Sequence, residues 1–325
     1  MSDRIDTKNH ATVKALLEYR DRLALTDTVL ARRYIGISKT TWSQLQNGTY
    51  PAQDPSAMLD KCEAALQLLS DEIERAEAGG HRAAIVELPH VKAAISGIKG
   101  CYGAPQNRLV MFLAPSGGGK TTLARKLQEV YRGAFVAIEA TETWRGSYFN
   151  AAADVAEALG ITEAFTNPRA VEKAVFDALT TTPRIIGIDE GHYCGPQALN
   201  FVKAILNNTP SRVVILSIPQ LWARMEEKAF EEAKQLRRRT HAKIVVERVE
   251  ASDARRFLAA RLPGYDARAA DEREVVGACV AAANAFGLYD TLERICAEVG
   301  NEAGGKDASL DVVTAAIKRV EALRS

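Results

Sequence analysis

Neither sign of charge prevails in this chain. The 42 Lys and Arg residues stand against 41 Asp and Glu, for a formal net charge of +1. Bulk electrostatics therefore selects neither a nucleic acid nor a membrane surface as partner, and only local clustering could do so. Cysteine is sparse as well. Cys62, Cys101, Cys194, Cys279 and Cys296 are odd in number and never spaced as Cys-x-x-Cys, which argues against a disulfide framework or a zinc site. Free buried thiols in a reducing compartment are expected instead. Long apolar runs are missing: nothing approaches the ~20 residues of a membrane span, and the opening MSDRIDTKNH has no apolar centre of a signal peptide. A cytoplasmic protein with no membrane partner is expected. Internal repeats and low-complexity tracts are also absent.

What is present is ordinary globular material, 47% hydrophobic and 26% charged over 325 residues, enough for two or three domains. Up to about Pro55 the patterning is helical. Val13, Leu16 and Leu17 mark one apolar face, and Val29, Leu30 and Tyr34 follow at helical spacing. Ser38 is placed to cap a helix through Trp42 and Leu45, which Asn47-Gly48 should end by a left-handed turn. Residues 57–78 read as a connecting helix closed by Gly79-Gly80. From His81 onward, strand-like runs alternate with helices, the pattern of a parallel sheet in an α/β domain. The runs are Leu109–Leu113, Phe135–Glu139, Ile185–Asp189, Val213–Ser217 and Lys243–Arg248. Beyond Ala251 only helical patterns remain. The expected organisation is residues 1–56 (a small helical domain), 57–80 (linker helix), 81–250 (α/β core) and 251–325 (an all-helical C-terminal domain).

Chemistry concentrates at Leu109-Val-Met-Phe-Leu-Ala-Pro-Ser-Gly-Gly-Gly-Lys-Thr-Thr122. An apolar strand runs into a glycine-rich turn, and Lys120-Thr121 opens a helix. Without side chains, Gly117, Gly118 and Gly119 let backbone N–H groups close around phosphate oxygens, and the helix N-terminus faces the same anion. Pro115, Ser116 and Thr122 complete the loop. Lys120 is positioned to reach the β- and γ-phosphates of ATP, and the Thr121 hydroxyl to ligate Mg2+. Ala114 stands where the usual loop has its first glycine. A second element fits the first: Arg184-Ile-Ile-Gly-Ile-Asp189-Glu190 is a short apolar strand ending in two carboxylates. Asp189 is placed to hold the magnesium shell, and Glu190 to polarise the attacking water.

Two further elements bear on hydrolysis. Ser217, at the end of its strand, is a candidate for positioning that water, with Gln220 the runner-up. Within Arg237-Arg238-Arg239, Arg238 or Arg239 is a candidate finger for the γ-phosphate of a neighbouring subunit.

This order of parts, with a small helical lid, resembles the AAA+ ATPase family. The resemblance implies ATP at subunit interfaces of a ring or helical filament, and a lid arginine near the phosphates. Gly287 lacks a following arginine, leaving Arg294 as the substitute. Thr26–Pro51 resembles a helix-turn-helix of the phage-repressor type. In that reading Ser38, Lys39, Thr41 and Gln44 face the major groove of double-stranded DNA, and Arg32 and Arg33 meet its backbone.

Taken together, the domains resemble the phage Mu transposition protein B family of target-selection ATPases. That resemblance implies largely nonspecific, ATP-dependent DNA binding, self-assembly on duplex DNA, transposase as partner and a bacterial host cell. It also implies DNA contacts after the second strand, where Trp144 and Arg145 are the candidates. Two alternatives remain open: a helicase loader or replication initiator, and a nucleotide-gated helix-turn-helix regulator.

Overall fold

The computed structural model describes residues 7–22, 27, 30–51, 55–78, 85–227, 233–303 and 308–323. The chain forms two compact units, Met1–Ala84 and Ile85–Ser325.

In the first unit, helices Ala11–Arg22, Lys39–Asn47 and Ser56–Ala78 and the helical segment Leu30–Ile35 enclose a small core. Val13, Leu16, Leu30, Trp42, Leu45 and Leu69 are all fully buried there. Both ends of the Lys39–Asn47 helix form as its sequence dictates. The Ser38 side chain accepts from the Thr41 amide at 3.1 Å. Gly48 sits at φ +70°, and the Thr49 amide returns to the Gln44 carbonyl at 2.9 Å. Trp42 and Leu45 point inward as their spacing required. The helix expected as a linker is not a free connector. Its stripe of Leu59, Cys62, Ala65 and Leu69 completes this unit's core, because an apolar face of that length must be buried against something.

The second unit is built on a five-stranded parallel sheet: β1 (Leu109–Leu113), β2 (Phe135–Glu139), β3 (Ile185–Asp189), β4 (Arg212–Ser217) and β5 (Thr240–Val245), in the order β2-β3-β4-β1-β5. Every residue of β1 is buried, as a central strand covered on both faces requires. The last strand begins three residues earlier than its hydrophobic run suggested. It is an edge strand of alternating burial, and its start is set by pairing of Thr240 with Leu109 rather than by the Ile244–Val246 cluster. Helices Ala251–Arg261, Glu272–Phe286, Leu288–Ala303 and Leu310–Ala322 form the C-terminal part, and their apolar faces share one continuous core with a face of the sheet. No described helix is long and apolar enough to cross a membrane. All five cysteines are buried and free.

Candidate functional site: a phosphate loop under a helical lid

Because the strands are parallel, the carboxyl ends of β1, β3 and β4 lie at one edge of the sheet, and the motif residues meet there. β1 ends at Leu113, and the loop from Ala114 turns into helix Lys120–Val130. The turn depends on its glycines. Gly117 and Gly119 have φ of +75° and +84°. At Gly118 a Cβ would stand 2.6 Å from the Ala114 Cβ, so no side chain fits at that point. Lys120 is 8% exposed and curls back over the loop, donating to the carbonyls of Ala114 and Pro115, each at 3.1 Å. Its ammonium thus lies above the loop's own backbone. The Thr121 side chain is exposed on the first helical turn, and Thr122, Pro115 and Ser116 flank it.

Next to the loop, Ser217 pairs with Leu113, and its carbonyl accepts from the Ala114 amide at 2.9 Å. Its hydroxyl is buried without a hydrogen-bond partner among the described residues, while Gln220 is exposed. One strand further over, Asp189 accepts from the Glu190 amide at 2.8 Å. Burial raises the Asp189 carboxyl above the ordinary range and the Glu190 charge adds to the rise, against the pull of that amide and of Lys120. Glu190 is one of two non-glycine residues with positive φ (+50°) among those described, a conformation that costs about 1 kcal/mol or more and is concentrated at functional sites. Its carboxylate lies 3.1 Å from His192 Nδ1, close enough for an ion pair but off the line of a hydrogen bond.

The lid closes the other side, through backbone contacts that sequence reasoning did not foresee. The amides of Tyr289 and Asp290, at the start of helix Leu288–Ala303, both donate to the Gly117 carbonyl, at 3.1 and 3.3 Å. A Cβ on Gly117 would stand 2.1 Å from the Gly287 carbonyl oxygen. Ser116, Gly117, Phe286, Gly287, Asp290 and Arg294 line a cavity of about 400 Å³, and the Arg294 Nε donates to Asp290 at 3.1 Å. The Tyr289 hydroxyl donates to Asp253 at 2.9 Å, and its ring lies 4.9 Å from that of His90. Burial pushes the His90 imidazole below its usual range, against the upward pull of Asp253.

The arginine triplet separates by environment. Arg237 stacks on Trp222 at 4.2 Å and pairs with Glu226. Arg238 is exposed and Arg239 half-buried. Both stand at the start of β5, a strand length of roughly 13 Å from the phosphate loop.

Of the DNA-contact candidates, Trp144 is a correction. It is fully buried, and its indole N–H donates to Asp154 at 2.7 Å, so no base can stack on it. A large aromatic that finds a polar partner for its N–H belongs to the core. Arg145 remains exposed, paired with Glu142 at 3.5 Å and lying 5.5 Å over the Tyr193 ring. Ser38 is exposed, while Thr41 and Gln44 are half-buried. The Ser38 and Thr41 hydroxyls are 2.8 Å apart, engaged in capping. The side chains of Arg32, Arg33 and Lys39 lie outside the described residues.

Residues 105–225 match the family model of an AAA domain. No curated protein matches the chain. Among solved structures it is similar to the Aeropyrum pernix ORC2 protein in its ADPNP-ADP complexes, with 14% identity, 76% of this chain and 72% of that chain covered, and a TM-score of 0.51. It is also similar to the Aeropyrum pernix ORC1 protein in complex with DNA (16% identity, 71% and 64% covered, TM-score 0.46). A third is the Thermotoga maritima RuvB Holliday junction branch migration motor (12% identity, 70% and 66% covered, TM-score 0.42). The architecture is an AAA+ P-loop fold with a helical C-terminal region.

Proposed function

We propose that the chain is an ATP-hydrolysing, Mg2+-dependent AAA+ protein that assembles on double-stranded DNA through nucleotide bound between subunits. The observation that carries this reading is the juxtaposition at one sheet edge. A glycine cradle that no Cβ fits, a buried lysine and the Asp189-Glu190 pair lie under a lid that hydrogen-bonds the cradle itself. Glycine amides and Lys120 would hold the phosphates of ATP. The donors also fit a hard cation: the Thr121 hydroxyl and the Asp189 carboxylate are oxygen ligands of the kind magnesium takes alongside phosphate. Among the described residues no three His, Cys, Asp or Glu side chains gather as a metal site of their own, so magnesium here would depend on the nucleotide's phosphates for its remaining ligands. Glu190 would orient and polarise the attacking water, with Ser217 as second candidate.

Arg238 is our choice for the finger, because it is exposed whereas Arg237 is occupied by Trp222 and Glu226. Its distance from its own loop means it could serve only a neighbour's nucleotide, which makes hydrolysis dependent on self-assembly. Arg294, on the cavity wall, is the lid residue that would report nucleotide state. At the biological level we favour target selection in transposition, with a transposase as the activating partner in a bacterial cytoplasm. Support comes from the helical N-terminal unit ahead of an ATPase with a small lid. A replication initiator or helicase loader is the second reading, favoured by the likeness in fold to the ORC2 chain.

Negative-stain microscopy with random-sequence duplex tests the proposal, comparing ATP, ADP and Glu190→Gln with ATP. Filaments that coat DNA with ATP and persist in the variant are expected. Discrete particles on particular sequences, or no binding, would refute the transposition reading.

A further inference from the structure

Four of the five strands enter the sheet on an arginine. Arg184 precedes β3, Arg108 precedes β1, Arg239 precedes β5, and Arg212 is the first residue of β4. The sheet order sets these four strands side by side. Register aligns them further: Leu109 faces Val213 on one side and Thr240 on the other, so Arg108 is level with Arg212 and Arg239. Arg184 stands one step before Ile185, the partner of Arg212. At about 4.8 Å between strands, the row spans roughly 14 Å.

No carboxylate answers this charge. Among the described residues none of the four has an ion-pair partner, in a chain whose net charge is only +1. Arg108 turns its terminal nitrogens to the carbonyls of Leu206 and Thr209, at 2.5 and 2.7 Å. The Nε atoms of both Arg108 and Arg212 are buried without an acceptor. Burial, reinforced by the charges of Arg212 and Arg239, holds the Arg108 guanidinium below the usual arginine range. Half-buried like charges repel, and a structure that keeps them together without counter-charges is built to receive an anion. The Arg212 guanidinium lies 3.5 Å over the ring of Tyr102, which is 53% exposed.

We infer that this strand-entry edge is a contact surface for the phosphodiester backbone of duplex DNA, with Arg184 and Arg212 taking phosphate oxygens and Arg239 extending the row. Guanidinium forks suit phosphate oxygens. A row of roughly 14 Å covers about four phosphates of one strand at ~3.4 Å of helix axis each. A protein partner would call for an apolar centre, whereas DNA surfaces are polar and positively charged. The edge lies a strand length from the phosphate loop, so backbone and nucleotide do not compete. The inference rests on the DNA-binding reading above and assigns it a surface.

The test is fluorescence anisotropy of the full chain with ATP on random-sequence duplex, from about 50 to 300 mM salt. For Arg184→Ala/Arg212→Ala the log–log salt slope should fall by about 2, near 0.9 for each phosphate no longer neutralised, with basal ATP hydrolysis unchanged. Arg184→Lys/Arg212→Lys should keep the slope. If the alanine pair fails to fold, Arg184→Gln alone should lower the slope by about 1. A folded alanine variant with the slope of the wild type overturns the inference while leaving DNA binding intact. A wild type that binds no duplex overturns both.

Discussion

Gly117→Ala separates two costs that the structure predicts will add. The first is conformational: Gly117 sits at φ +75°, where a Cβ costs about 1–2 kcal/mol, whether or not the lid is docked. The second is specific to the lid. The new methyl would stand 2.1 Å from the Gly287 carbonyl oxygen, and since this is backbone, the lid must move. Movement breaks the two hydrogen bonds from Tyr289 and Asp290 to the Gly117 carbonyl, worth about 1 kcal/mol each. The lid-docking free energy should fall by about 2 kcal/mol, or about 30-fold in the opening equilibrium at ~1.4 kcal/mol per decade. Native-state amide exchange at Tyr289 and Asp290 reads that equilibrium directly. Gly133→Ala is the control, because Gly133 has φ +73° but nothing within 4 Å of the added Cβ. It pays only the conformational cost. If protection at Tyr289 and Asp290 drops no further in Gly117→Ala than in Gly133→Ala, the lid does not rest on the loop as described.

Two other outcomes follow from the same structure. Burial pushes the Asp27 carboxyl up, but hydrogen bonds from Arg20, Trp42 and Gln46 outweigh it and hold the group below the ordinary range. A depressed folded value means the stabilisation is present above the unfolded value near pH ~3.9 and lost as pH falls through the folded one. Protection of the Lys39–Asn47 helix should therefore fall over that acid range in the wild type. The fall should be flatter in Asp27→Asn; equal pH profiles would refute this. Second, burial pushes the thiols of Cys62 and Cys101 up to about 11 and of Cys194 and Cys279 to about 12. Alkylation near neutral pH should accordingly be slow in the native protein and fast in urea, and rapid native labelling at any of these four sites would contradict their burial.

How much the sequence revealed depended on distance along the chain. The glycine turn of the phosphate loop and the strand ending at Asp189 are each set by a short stretch of sequence, so their backbone forms were readable. The caps of the Lys39–Asn47 helix were readable for the same reason. The edge strand was misplaced because its register comes from β1, 131 positions before Thr240 if counted from Leu109. Trp144 was misassigned because its partner Asp154 is on another element. The arginine row could not be seen at all, since strand order alone brings Arg108, Arg184, Arg212 and Arg239 together. The same holds for the Gly117 contact with Tyr289 and Asp290, which needs the lid's position relative to the loop.

Hydrolysis completed by a neighbouring subunit is the central claim, and mixing two inactive variants tests it most directly. Glu190→Gln keeps its arginines but lacks the water-polarising carboxylate; Arg238→Ala keeps the carboxylate but lacks the finger. Each alone should hydrolyse ATP on duplex DNA at a small fraction of the wild-type rate. In an equal, randomly assembled mixture, about one quarter of the interfaces would unite an intact Glu190 with intact arginines. The mixture should recover about a quarter of wild-type activity. A mixture no more active than the sum of its parts, at concentrations where the wild type coats the DNA, would contradict a site shared between subunits.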